Sequence, residues 1–184
     1  MTTHHQTRVA VLLGSLRAGS LNRRIAEHLR DNAPEGVTVD VVEGLDTIPF
    51  YNEEIDGDTV PAGASALRQA VASADRVLAV TPEYNGTMPA VLNNAIDWLS
   101  RPYGQGAIVG KPFAAIGATP TPYGGKWSHE HARHSATIAG AVVVEGIVVD
   151  ESAVEGDPLQ NEEAIQRFLG ALDALVAHEV EAAA

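Results

Sequence analysis

Three short stretches concentrate the residues able to do chemistry. The first is Gly14-Ser15-Leu16-Arg17-Ala18-Gly19-Ser20-Leu21-Asn22-Arg23. Its glycines permit tight turns with positive φ. Ser15, Ser20 and Asn22 offer side-chain hydrogen bonds, and Arg17 offers a charge. A helix start placed here adds free N–H groups and a partial positive charge. Together these suit a phosphate monoester. Neither the G-x-G-x-x-G fingerprint nor the GxxxxGK[ST] loop is present. Without a ligand the same residues make a capped turn, with Ser20 or Asn22 as the N-cap. The second stretch is Thr81-Pro82-Glu83-Tyr84-Asn85-Gly86-Thr87-Met88-Pro89. Two prolines, a glycine and an asparagine restrict its backbone. Such a loop can present N–H groups to a flat polar ring, with Tyr84 and Met88 over an aromatic face; the bland alternative is a turn with a hydrophobic staple. The third, Thr119-Pro120-Thr121-Pro122-Tyr123-Gly124-Gly125, is rigid too. It can close over the same ligand or serve as an ordinary Pro/Gly loop.

Other chemistries find less support. His129, His131 and His134 suggest a metal, but on a helix His131 and His134 share a face while His129 points elsewhere. No carboxylate completes a ligand set. Surface or interface histidines are expected, and no metal. There is no G-x-S-x-G elbow and no cysteine, so no acyl-transfer nucleophile is legible. Glu83 and Asp97 are not spaced as an acid–base pair. Asn94 and Asp97 are expected to face the second loop, and Trp98 to lie in the core or at a subunit contact.

The elements that position these loops alternate. Residues 8–13, 37–42, 76–80, 112–117 and 141–149 are short apolar runs that read as strands. Residues 21–32, 62–74, 88–100, 126–139 and 159–180 carry helical apolar spacing. Pro89 falls in the first turn of the third helix, where a missing N–H is harmless. Five β-α units predict an α/β three-layer sandwich: a five-stranded parallel sheet, order 2-1-3-4-5, helices on both faces, right-handed crossovers. Ligands of such sheets bind beyond the carboxyl ends of the strands, at the switch in strand order. That places residues 14–22, 82–88 and 118–126 together.

The chain has 184 residues, 45% hydrophobic and 20% charged, with 17 Gly, 10 Pro and no Cys. It reads as one domain over 1–184, with 1–7 a loose tail and no signal peptide. No apolar run approaches the ~20 residues of a membrane span. The absence of cysteine excludes a disulfide scaffold and fits a reducing cytoplasm. The net charge of −12 is uneven. Residues 1–30 hold five basic residues against one acidic, residues 31–60 nine acidic and no basic, and residues 145–184 ten acidic against one basic. A phosphate-bearing small ligand fits the N-terminal stretch. A nucleic acid, which needs many neutralised phosphates, does not fit the whole.

At these loops the sequence resembles the NADPH-dependent FMN reductases of flavodoxin-like fold, a family that includes chromate/quinone reductases and azoreductases. The matching stretches are GSLRAGSLNR at 14–23, PEYNGTMPAVLNNAIDWLSR at 82–101, GKPFAAIGAT at 110–119, and Gly124-Gly125 followed by His131-Ala132-Arg133. The resemblance covers about residues 8–150. Two departures stand out: Asn93 where the family commonly has Lys, and Ala90 where it commonly has Gly.

The resemblance implies roles. Ser15, Arg17, Ser20, Leu21 and Asn22 would hold the FMN phosphate, partly through backbone N–H groups. Pro82, Glu83, Tyr84, Asn85 and Gly86 would run along the isoalloxazine ring, with Thr119 and the Gly124-Gly125 pair flanking it. Hydride from NADPH or NADH would reach the flavin, and a quinone-like or other small acceptor would then be reduced at the same face, a ping-pong sequence. Backbone N–H groups near the ring would stabilise the reduced, anionic flavin. No essential side-chain acid or base is expected. A homodimer or homotetramer is implied, with Trp98 and Tyr103 as candidate contacts, and no nucleic-acid or membrane partner. A flavodoxin-type electron carrier and a non-enzymatic ligand sensor are the alternatives.

Overall fold

The computed structural model describes residues 6–179. Most of the expected tail, residues 1–5, lies outside them; Thr7 does not belong to a tail, because it opens the first strand and pairs with Val37. The strands are β1 (Thr7–Leu13), β2 (Val37–Val42), β3 (Arg76–Val80), β4 (Pro112–Thr119), β5 (Val142–Val143) and β6 (Val149–Ser152). The helices are α1 (Leu21–Asp31), α2 (Ala62–Ala72), α3 (Ala90–Leu99), α4 (Lys126–Ile138) and α5 (Glu162–Ala177). All strand pairings are parallel, in the order β2-β1-β3-β4-β5, with β6 also on β4.

Strand alternation divides the core in two. Ala10, Leu12, Val77, Ala79, Phe113 and Ala115 face α2, α3 and α4. Val9, Val11, Leu78, Val80, Ala114 and Ile116 face α1 and α5. A sheet buried on both faces needs apolar residues at every strand position, and all eight residues of β4 are buried.

The single fifth strand expected over 141–149 is instead two pieces. Six residue steps from Val143 to Val149 stand opposite three from Phe113 to Ile116. The surplus turns out at Glu145-Gly146, closed by the Ile147 N–H donating to Val144 O at 3.0 Å. The second piece therefore runs on to Ser152, beside the carboxyl end of β4.

Helix starts follow their local chemistry. Ser20 caps α1, its hydroxyl accepting from Arg23 N at 3.4 Å. Asn161 caps α5, accepting from the Glu163 and Ala164 N–H groups, and Glu162 and Glu163 suit the positive end of the helix dipole. Pro89 is the N-cap residue of α3 rather than a residue of its first turn.

The acidic 43–61 segment contains two short 3-10 turns, Leu45–Thr47 and Glu53–Ile55. It is held by α3 and α2. The buried Asn94 takes the Tyr51 N–H at 2.8 Å and donates to Pro49 O at 3.1 Å, so it faces this segment and not the second loop. Trp98 is fully buried, donates to Pro49 O at 2.8 Å and meets Tyr51 edge-on. It belongs to the core and is no subunit contact. Arg68 lies over the Trp98 ring and grips Asp56 with two bonds of 2.7 and 2.8 Å.

Hydrogen bonding to Arg68 lowers the Asp56 carboxyl below its usual range. A depressed carboxylate adds stability above its unfolded pKa and loses it as pH falls through the folded value. Asp56→Asn should therefore be less stable than wild type at pH 7, with the difference vanishing below the ordinary carboxylate range. Urea midpoints measured across pH check this.

Candidate functional site

The site begins where the central strands stop. Thr81, the residue after β3, lies between two glycines. A Cβ on Gly14 would sit 2.1 Å from Thr81 Oγ1, and one on Gly117 would sit 2.2 Å from Thr81 O. Only hydrogen at both positions lets the ends of β1, β3 and β4 converge. All three chemistry-bearing loops leave this edge.

The loop after β1 carries Ser15, Arg17, Ser20, Leu21 and Asn22. Ser15 and Ser20 are buried, Leu21 is half-buried and Arg17 is exposed. Ser20 N–H donates back to Arg17 O at 3.1 Å, which curls the loop. Among the described residues, the N–H groups of 15–19 and of Leu21 and Asn22 have no intramolecular acceptor. Arg17 has no hydrogen-bond or ion-pair partner there either. No acidic side chain occupies the first turn of α1. A curl of N–H groups without acceptors at a helix N-terminus, in a loop with an unpartnered guanidinium, has the donor chemistry that suits an anion. The Asn22 side chain is not part of it. Asn22 Nδ2 donates to Ala118 O and its Oδ1 accepts from Ala118 N, both at 2.9 Å. It bolts α1 to β4, so only its N–H is free for a ligand.

The loop after β3 is a miniature hairpin. Tyr84 and Thr87 exchange backbone hydrogen bonds of 3.0 and 3.1 Å. Asn85 (φ 53°) and Gly86 (φ 72°) form its tip, the Asn-Gly pairing that such a two-residue turn favours. The N–H groups of Asn85 and Gly86 have no acceptor among the described residues. Tyr84 is exposed and Met88 buried. A cleft of about 660 Å³ opens beside the hairpin, lined by Phe50, Tyr51, Tyr84, Asn85, Met88 and Asn93 among others. Asn93 donates to Asp97 at 2.9 Å, and partial burial raises the Asp97 carboxyl above its usual range.

The loop after β4 brings Thr119, whose hydroxyl pairs with that of Thr121 at 2.9 Å, and Gly124-Gly125, both with positive φ. Gly125 starts α4 without a capping side chain. Glu83 supplies one from the neighbouring loop: its carboxylate accepts from Trp127 N (3.0 Å) and Ser128 N (3.2 Å). Ser128 Oγ returns a bond of 2.7 Å to Pro82 O, and Thr87 Oγ1 meets His131 Nδ1 at 2.8 Å. The α4 start and the ring-loop hairpin are thus stitched together. Glu83 meets α4 with its side chain; toward a ligand it has only its backbone.

His129 overturns its expected surface position. It is fully buried, its Nδ1 2.5 Å from Asp150 Oδ1 and its Nε2 3.1 Å from Thr81 O. The sequence gives no signal for this contact, because its partners lie 21 and 48 residues away. His131, in contrast, is exposed. Among the described residues no group of three or more His, Cys, Asp or Glu is placed to hold a metal, and no helix is long and apolar enough to cross a membrane.

Fold and edge together define a flavodoxin-like α/β protein, with an anion cradle after its first strand and a rigid hairpin after its third. Residues 7–155 match the family model of NADPH-dependent FMN reductases, and the chain belongs to that family. A quinone reductase of Pseudomonas putida is 42% identical over 127 residues, 69% of this chain and 68% of the relative. A 2-hydroxy-1,4-benzoquinone reductase of a Burkholderia species is 43% identical over 126 residues, 68% of each chain. Among solved structures, the flavoenzyme NAD(P)H:(acceptor) oxidoreductase FerB of Paracoccus denitrificans superposes with a TM-score of 0.81 at 30% identity, covering 92% of this chain and 95% of that one.

Loss of a helix cap typically costs about 1 kcal/mol. Glu83→Ala should lower unfolding free energy by about that amount and speed hydrogen exchange at Trp127 and Ser128 before other α4 amides. Denaturant midpoints and amide exchange rates check it.

Proposed function

We propose that this chain is an FMN-dependent NAD(P)H oxidoreductase that reduces quinone-like or other small acceptors, acting as a single flavin-binding domain. The observation that carries the reading is the cradle at residues 15–22: a row of unpaired N–H groups closed by a free arginine. These groups fit the phosphate of FMN. Their donors are already fixed by the strand end and helix start, so little ordering accompanies binding.

When bound, FMN supplies the redox centre between NAD(P)H and the acceptor, and the protein supplies position and electrostatics. Ser15, Arg17, Ser20 and the N–H groups of Leu21 and Asn22 hold the phosphate. The Pro82–Gly86 backbone lies along the ring, and the outward N–H groups of Asn85 and Gly86 favour negative charge on its edge. Thr119, Gly124 and Gly125 wall the other side, the missing glycine side chains letting the loop pack against Asp150 O and the His129 ring. Phe50, Tyr84 and the Tyr123–Trp127 pair, with ring centroids 4.8 Å apart, give flat apolar surface for nicotinamide and quinone rings. The two substrates use one open cleft in turn, which is the ping-pong order. No side chain is assigned as an obligatory acid or base.

The names of the relatives support quinone-like acceptors. The cysteine-free composition supports a cytoplasmic setting. Exposed Tyr103 and Ile138 support a homodimer or homotetramer, and both border one cleft with Ser135 and Gly140.

The test is anaerobic reduction. With FMN reconstituted, NADPH should bleach the visible flavin absorbance rapidly without a partner protein. Bound FMN that stays oxidised would favour an electron carrier instead. Arg17→Ala should weaken FMN about tenfold or more, the effect of one charge-assisted hydrogen bond, and leave riboflavin binding unchanged. Flavin fluorescence titration reads both.

A further inference from the structure

The most deeply buried titratable side chain near the loops is His129. It sits beneath the site, against the end of β3, β4, β6 and the third loop. Its ring reaches Thr81 O after β3 and Asp150 in β6. Cβ atoms built on Gly117 and Gly125 would lie 3.0 and 3.1 Å from it, in β4 and in the third loop. A neutral buried imidazole offers one N–H donor and one bare acceptor nitrogen, and so suits one acceptor and one donor. This one has two partners, and both are acceptors. Thr81 O cannot donate, so Nε2 carries a proton. Asp150 Oδ1 stands at Nδ1, and a carboxylate there accepts as well, which calls for a proton on Nδ1 too.

We propose that His129 is a doubly protonated positioning residue of the flavin site. It pins the Thr81 carbonyl, and hence the start of the ring-loop hairpin, from below. It also neutralises Asp150, a carboxylate whose side chain is only 18% exposed. Without this cation an unpaired negative charge would sit under the site, opposing the negative charge that a reduced flavin carries. The other side chains that tie α4 to the loop are Ser128, Glu83 and His131. They act on the hairpin further along, at Pro82, Glu83 and Thr87, and none reaches Thr81 O.

The ligand half of the proposal rests on the flavin assignment; the protonation half does not. Nitrogen-detected histidine spectra of the full ¹⁵N-labelled chain without flavin, with His129 identified by its loss in His129→Gln, should show two protonated ring nitrogens. In Asp150→Asn the amide can donate to Nδ1, so one ring nitrogen should become bare while both contacts persist. A bare Nδ1 in the wild-type chain would overturn the proposal.

Fluorescence titration with oxidised FMN tests the rest. His129→Ala, which leaves Thr81 O without its donor, should raise the dissociation constant about tenfold, and Asp150→Asn should bind within about threefold of wild type. In His129→Gln the donor to Thr81 O is restored but Asp150 is unpaired. There the potential of bound FMN should fall, reduced FMN losing about tenfold more affinity than oxidised FMN. Wild-type affinity in His129→Ala, or an unshifted potential in His129→Gln, would contradict a positioning role. A wild-type chain that binds no FMN would refute the flavin assignment while leaving the ring protonation to be read on its own.

Discussion

Everything at the functional edge depends on how closely three strand ends approach one another. Thr81 fits between Gly14 and Gly117 with no space for a methyl group on either side. Gly14 N–H donates to Val80 O, and Thr81 N–H to Ile116 O, each at about the normal hydrogen-bond length (2.9 and 3.0 Å). The ladder therefore continues one residue past the strands and stops abruptly. Beyond β1, the N–H groups of residues 15–19 have no acceptor among the described residues. The unsatisfied donors of a strand end and a helix start are what suit this edge to an anion.

A second layer keeps the edge rigid. Asn22 joins α1 to β4, and Glu83, Ser128, His129 and the Thr87–His131 pair join α4 to the loop after β3. Asn22, Ser128 and His129 are buried, where polar side chains need partners, and each reaches a backbone carbonyl, of Ala118, Pro82 and Thr81. Loop conformation and helix packing are thus one system. The charge pattern agrees with it. Within the acidic 31–60 stretch, the segment from Leu45 to Asp56 folds against α2 and α3, and the charge is partly answered by Arg68 and Arg23, while the cradle holds the unpartnered Arg17.

Much of this was legible in the chain. The strands are short β-branched and apolar runs, the helices show clean spacing, and Gly, Pro and Asn punctuate between them. Those local signals carry the strand order and bring the three loops together, because a doubly wound sheet has a single switch point. Local signals fail where the partner is distant. Asn22 reads as a phosphate ligand or cap, yet its amide closes on Ala118, 96 residues away. Glu83 reads as a ring-loop residue, yet it caps a helix 44 residues on. His129 reads as exposed because the stripe of its helix is short and polar, and its burial depends on Gly117 and Gly125 leaving space. The split of the fifth strand rests on Glu145-Gly146, a turn signal set inside an otherwise continuous apolar run.

The central claim is that one small phosphate-bearing cofactor occupies the carboxyl edge of β1, β3 and β4. Backbone amide shifts followed during titration of the full chain with FMN test it most directly. The account predicts saturable changes concentrated at residues 15–22, 83–87 and 119–125, with the opposite edge of the sheet unmoved. Changes centred instead on the cleft between Ser152 and Arg167, with the 15–22 amides unshifted, would contradict it.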